Sequence, residues 1–236
     1  MTFPQRISGT FFNPASTMND VARNPKPIAA ILILILALTA AFSYLSAPYA
    51  AKDSLQMMKD NVKMKERLGE ERYNRLISGM ENTSPGAGLV RAVVYTPAFT
   101  AVLLGIQALL LLILGRMVSS EGAFVPVLSV LLHASLINAL LGNAVRAFLI
   151  LTRKSVMQTT TSLALLLPGA EVTSTAYIFL SQVDLFQLWM FGVVGYGLAA
   201  VLKVPAKKGL ILAYTFWALK AAFNIALGFV GKSFLG

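Results

Sequence analysis

The residues best able to do chemistry in this chain are polar groups set inside long apolar stretches. They are Asp184, Asn138, Asn143, Arg146 and Lys220; the single histidine, His133, reads instead as a bonded interior residue. A charged side chain in hydrocarbon is costly, so each such residue is a candidate for an intramembrane polar site that moves a proton or binds a ligand. Asp184 has a second reading. Asp184-Leu185-Phe186-Gln187 has the spacing of a capping box, with Asp as N-cap and Gln at the third helical position, and Asn would cap as well as Asp there. Ala134, Asn138, Gly142 and Arg146 fall four apart, with Ser135, Ala139 and Asn143 alongside. That face either packs against other helices through small residues and amide hydrogen bonds or lines a polar cavity. Lys220 stands beside the stripe Ala218, Ala222 and Ala226, which reads as a close helix contact, and Asp184 or a backbone carbonyl could pair with it.

Enzyme chemistry finds little material. The chain has no cysteine, so disulfides, thiolate nucleophiles and cysteine metal sites are excluded. One histidine and scattered carboxylates do not make a metal cluster. There is no phosphate-binding glycine loop, no G-x-S-x-G elbow and no H-E-x-x-H. The expectation is a protein without cofactor or metal that is not an enzyme.

The elements that must position these residues are five apolar stretches. They run about 28–46, 93–114, 123–151, 185–202 and 209–231. At about 1.5 Å per residue, roughly 20 apolar residues cross the ~30 Å hydrocarbon core. Hydrophobic residues make up 56% of the 236 and charged residues 13%, about half the share of a soluble domain. The fold class is therefore an all-α membrane protein with five transmembrane helices in one bundle, residues 28–236, preceded by a tail, residues 1–27. No good cleavage site follows the first span, which reads as an uncleaved anchor. The net charge of +10 does not point to nucleic acid, because the basic residues border spans instead of interleaving with aromatics.

Outside the spans, Asn13-Pro14 has the residues of a helix start, Pro25 ends that helix, and Met18, Val21 and Ala22 share one face. This predicts a short interfacial helix lying on the membrane, pinned by Phe11 and Phe12. Residues 52–81 alternate charges over Tyr73, Leu76, Ile77 and Met80, and Glu71 sits four from both Arg67 and Arg75. They read as an extramembrane amphipathic helix or helical hairpin, either a solvated connector or a partner-binding surface. Between the third and fourth spans, the run Leu163 to Leu167 and the stretch Glu171 to Gln182 predict two short interfacial or re-entrant helices. Lys and Arg counts do not settle orientation: with the N-terminus inside, seven fall inside and eleven outside.

Several stretches together resemble the Yip-domain family, integral membrane proteins first known as partners of Rab-type small GTPases. They are Phe11-Phe12-Asn13-Pro14 ahead of the first span, Gly122-Ala123-Phe124-Val125-Pro126 leading into the third, and Asp184-Leu185-Phe186-Gln187-Leu188-Trp189 through Gly195 and Gly197 to Lys203. The last is similar to the bacterial branch. Phe12, Pro14, Asp184, Trp189 and Gly195 are the positions that carry the resemblance. It implies five spans, a cytoplasmic N-terminus, an outward C-terminus and a bacterial inner (plasma) membrane. The Asp-Leu-Tyr-Gly-Pro signature of eukaryotic members is absent. The expected role is a scaffold or membrane-organising, trafficking-type factor, with membrane lipids as partners and a possible protein partner at residues 52–81 or the tail. The alternative is a small transporter or lipid-handling protein using a polar cavity between spans three, four and five.

Overall fold

A computed structural model describes residues 1–157, 161–167 and 169–235; Thr159, Thr160 and Pro168 lie outside the described residues. Among the described residues five helices are long and apolar enough to cross a membrane: Ile28–Lys59, Gly86–Arg116, Phe124–Arg153, Leu185–Leu202 and Ala206–Lys232. They are the five expected spans, each extended by its polar flanks except the fourth. The chain is an all-α, multi-pass membrane protein.

The chain divides into two compact units, the first formed by Met1–Thr39, Pro97–Asn143 and Leu185–Ala221. Its core lies where the third and fourth spans meet. In their most apolar windows 61% and 56% of residues are buried, against 11% in the first span and 17% in the fifth. Glycine sets the spacing. A Cβ on Gly197 would come within 2.7 Å of Val130 Cγ2, and one on Gly209 would come within 2.7 Å of the Ala199 amide nitrogen. Only three residues, Lys203 to Pro205, join the fourth span to the fifth, which forces the two to run antiparallel as neighbours.

The tail is two helices, α1 (Phe3–Phe12) and α2 (Pro14–Arg23), with Pro14 opening the second as expected. The interfacial reading needs correction. Met18 and Val21 are fully buried, and α2 packs on the third and fourth spans, so protein rather than lipid covers its apolar face. Phe12 is 88% exposed, whereas Phe11 packs edge-on against Trp189 at 6.3 Å between ring centroids. Asn13 caps neither helix with its side chain. A second correction concerns the fifth span. Ala218, Ala222 and Ala226 are exposed, and in this unit the inward residues are Gly209, Ala213 and Phe216. The close approach at Gly195 and Gly209 fixes which face turns inward, and the alanine row falls on the opposite side.

The second unit is Ala40–Thr96, Ala144–Asp184 and Ala222–Gly236. The helix of the first span continues through Pro48 to Lys59, so the expected 52–81 element is its last turns plus two helices, Val62–Leu68 and Glu70–Glu81. Gly69, at φ +76°, takes the turn between those two. Tyr73 is buried and donates its hydroxyl to Met58 O at 3.0 Å, Lys59 pairs with Glu81 at 2.6 Å, and Glu71 pairs with Arg75 as its spacing predicts. Asp53 Oδ2 accepts from Ser155 Oγ at 2.7 Å and from the Val156 amide at 2.6 Å, fastening the turn after the third span. The two short helices expected before the fourth span are a 3-10 turn, Leu163–Leu166, and a helix, Thr175–Leu180. Ile178 of the latter seats against Gly228.

Candidate functional site

In the second unit the polar residues converge on Asp184. The chain returns towards the fourth span by pairing Ser162 with Asp184 as an antiparallel bridge, with Leu163 N donating to Val183 O at 2.9 Å. That pairing sets the Thr161 hydroxyl against Asp184 Oδ2, which also accepts from Arg146 Nη2 at 3.2 Å. Asp184 is 3% exposed, and Arg146, near the end of the third span, is half-buried. Burial excludes water, so the guanidinium and the hydroxyl do what solvent would otherwise do for the carboxylate. In the same unit Asn224 Nδ2 donates to Gln182 Oε1 at 3.1 Å. The sequence left Arg146 in need of a partner; the structure supplies Asp184. Gln182 and Thr161 had no signal of their own, because their role depends on a loop returning to one point.

The remaining predicted site residues lie in the first unit. Asn138 and Gly142 belong to a π-helical segment, Ile137–Gly142, in the middle of the third span, which periodicity did not reveal. A row at every fourth residue overshoots the α turn of about 3.6 residues and undershoots the wider π turn, so the two drifts cancel. Ala134 and Gly142 are buried, and Asn138 and Asn143 half-buried. Lys220 Nζ reaches Gln187 Oε1 at 3.2 Å and lies 5.8 Å from the centre of the Phe191 ring. The box residue Gln187 therefore also serves an intramembrane lysine.

A second polar knot was not anticipated. Arg6 of α1, 4% exposed, donates through Nε to Asp20 Oδ2 of α2 at 2.7 Å and through Nη1 to Lys26 O at 2.6 Å. The N-terminal ammonium pairs with the other oxygen of Asp20 at 3.2 Å. Burial alone would raise the Asp20 carboxyl, but the Arg6 hydrogen bond and the two cations outweigh it and hold it below its ordinary range. Beside the knot, Ser129 Oγ donates to Pro25 O at 2.9 Å, and His133 Nδ1 lies 2.8 Å from Ser129 O. Fourteen residues separate Arg6 from Asp20, on two helices whose mutual fold no periodicity foretells. Among the described residues no three of His, Cys, Asp and Glu group as metal ligands. These clusters hold segments together by ion pairs and hydrogen bonds.

The fold and these clusters define a helical multi-pass membrane protein whose polar groups are largely engaged with one another. A family model described as the Yip1 domain matches residues 8–228, so the chain belongs to the Yip1 family. No curated protein and no solved structure matches it.

Proposed function

We propose that this Yip1-family protein is a non-enzymatic scaffold or membrane-organising factor, resident in a bacterial inner membrane with its N-terminus cytoplasmic. The observation that supports this reading most is the surface of Glu70–Glu81. Tyr73 anchors the helix, while Glu70, Glu71, Arg72, Arg75, Leu76 and Glu81 are all exposed on it. Exposed Arg72 and Arg75 beside the exposed Leu76 suit recognition of a protein partner, since arginine is enriched at interfaces, better than they suit chemistry.

The test is affinity purification of the full chain from native membranes, with mass spectrometry of what accompanies it. A stoichiometric partner that is lost on reversing Arg72 and Arg75 to Glu, with fold and expression kept, is the expected result. The transporter reading has one favouring observation, the buried Arg146–Asp184–Thr161 cluster, whose unit also holds the Asn224–Gln182 hydrogen bond. Solute uptake into proteoliposomes by the wild type that Asp184→Asn abolishes at matched amounts of folded protein, with no stoichiometric partner, would replace the scaffold by a transporter.

A further inference from the structure

On the fifth span a groove of about 610 Å³ is lined by Lys207, Leu210, Ile211, Tyr214, Thr215 and Ala218. These positions follow one helical face over twelve residues, whose eleven steps of 1.5 Å make about 16 Å. That is half of the ~30 Å hydrocarbon core, the depth of one leaflet. The wall is fixed. Tyr214 donates its hydroxyl to Leu188 O at 3.2 Å, and Gly192 leaves room for it, since a Cβ there would stand 3.0 Å from that oxygen. The groove opens sideways on an exposed span, with Ile211 55% exposed, so in a bilayer hydrocarbon fills it.

The polar end decides which lipid supplies that chain. Lys207 and Lys208 are exposed, and neither ammonium has a partner among the described residues. The neighbouring cations are already engaged: Lys203 pairs with Glu121 at 3.3 Å, and Arg116 donates to Gly122 O at 2.8 Å. Among the described residues the one carboxylate paired at this turn, Glu121, is thus taken by Lys203 and is not bonded to Lys207 or Lys208. Unpaired lysines at headgroup depth favour an anionic headgroup.

The geometry points to a binding site for an anionic glycerophospholipid, its phosphate at Lys207 and Lys208 and one acyl chain along Leu210, Ile211, Tyr214 and Ala218. The site needs only the fifth span's place in the membrane and does not depend on a scaffold role. It is read on the purified chain, so it stands or falls whatever a pull-down yields.

The experiment is native mass spectrometry of the full-length protein released from detergent, with phosphatidylglycerol or phosphatidylcholine of identical acyl chains. The wild type should retain phosphatidylglycerol roughly thirtyfold better, the scale set by two basic side chains at an anionic headgroup. In Lys207→Gln/Lys208→Gln that preference should fall to near one with the melting temperature unchanged. Ile211→Trp, or Ala218→Phe should the first fold poorly, fills the groove and should lower retention of both lipids alike. Equal binding of the two lipids by the wild type would overturn the site, as would a preference that survives removal of both lysines. So would full retention after the groove is filled, or a protein dimer on this face that added lipid does not displace.

Discussion

Asp184 answers to the Arg146 guanidinium and the Thr161 hydroxyl at once, and that changes what its replacement should do. As a helix cap alone, Asn would serve nearly as well as Asp. As the buried half of an ion pair, Asn leaves Arg146 without its counter-charge, and removing one partner of such a pair typically costs about 3–5 kcal/mol. Asp184→Asn should therefore lower the thermal stability of the detergent-solubilised protein, and Arg146→Met in the same chain should restore much of the loss. Wild-type stability in Asp184→Asn would return the residue to capping alone. Asp20 gives a pH prediction. Its carboxyl is held below the ordinary value of about 3.8, so it favours the folded tail above that value and the contribution is lost as pH falls through the lower, folded value. Hydrogen exchange of the Phe3–Arg23 amides, corrected for intrinsic rate, should show protection falling in that acid window and no such step in Asp20→Asn. A step that persists in Asp20→Asn would remove the carboxylate from the explanation.

The helices fit one another through backbone rather than through large side chains. A Cβ on Gly195 would lie 2.8 Å from Leu210 Cα, and one on Gly209 would press on the backbone of the fourth span. Backbone cannot rotate aside as a flexible side chain can, so the fourth and fifth spans must part. Gly209→Ala should destabilise by about 1–3 kcal/mol, the usual scale of overpacking. Gly231→Ala is the control, since a Cβ there meets nothing within 4 Å. Equal melting temperatures for the two variants would show that the fourth and fifth spans do not make this backbone approach. The four-residue spacing of small residues was legible on two helices, but it could not say which row faces inward. Gly195 and Gly209 decide this on the fifth span, and the legible alanine row is turned outward.

At the scale of the molecule, the five spans make orientation a parity question. With the N-terminus cytoplasmic, reporters placed after Lys26, Glu81, Glu121, Lys154 and Lys207 and at the C-terminus should read in, out, in, out, in, out. A cytoplasmic signal both after Glu81 and at the C-terminus would invert the proposed orientation and agree with the raw count of basic residues. The lysines at the head of the fifth span would then lie at the opposite leaflet, with their chemistry unchanged.

Spans, their number and the all-α class were legible in the sequence because they rest on length and hydropathy, which are local properties that hydrocarbon enforces on every segment separately. The positions of Asp184, Arg146, Asn138 and Lys220 as costly polar groups were legible for the same reason. Their partners were not. The bond from Arg146 to Asp184 needs residues 161–163 to fold back on residues 183–184, and that from Arg6 to Asp20 needs two short helices to close on each other. The amphipathic stripe of α2 announced only that something apolar must cover Met18 and Val21. Lipid and protein satisfy that demand equally, because burial of an apolar face has no direction of its own, and only the packing of the tertiary structure selected protein.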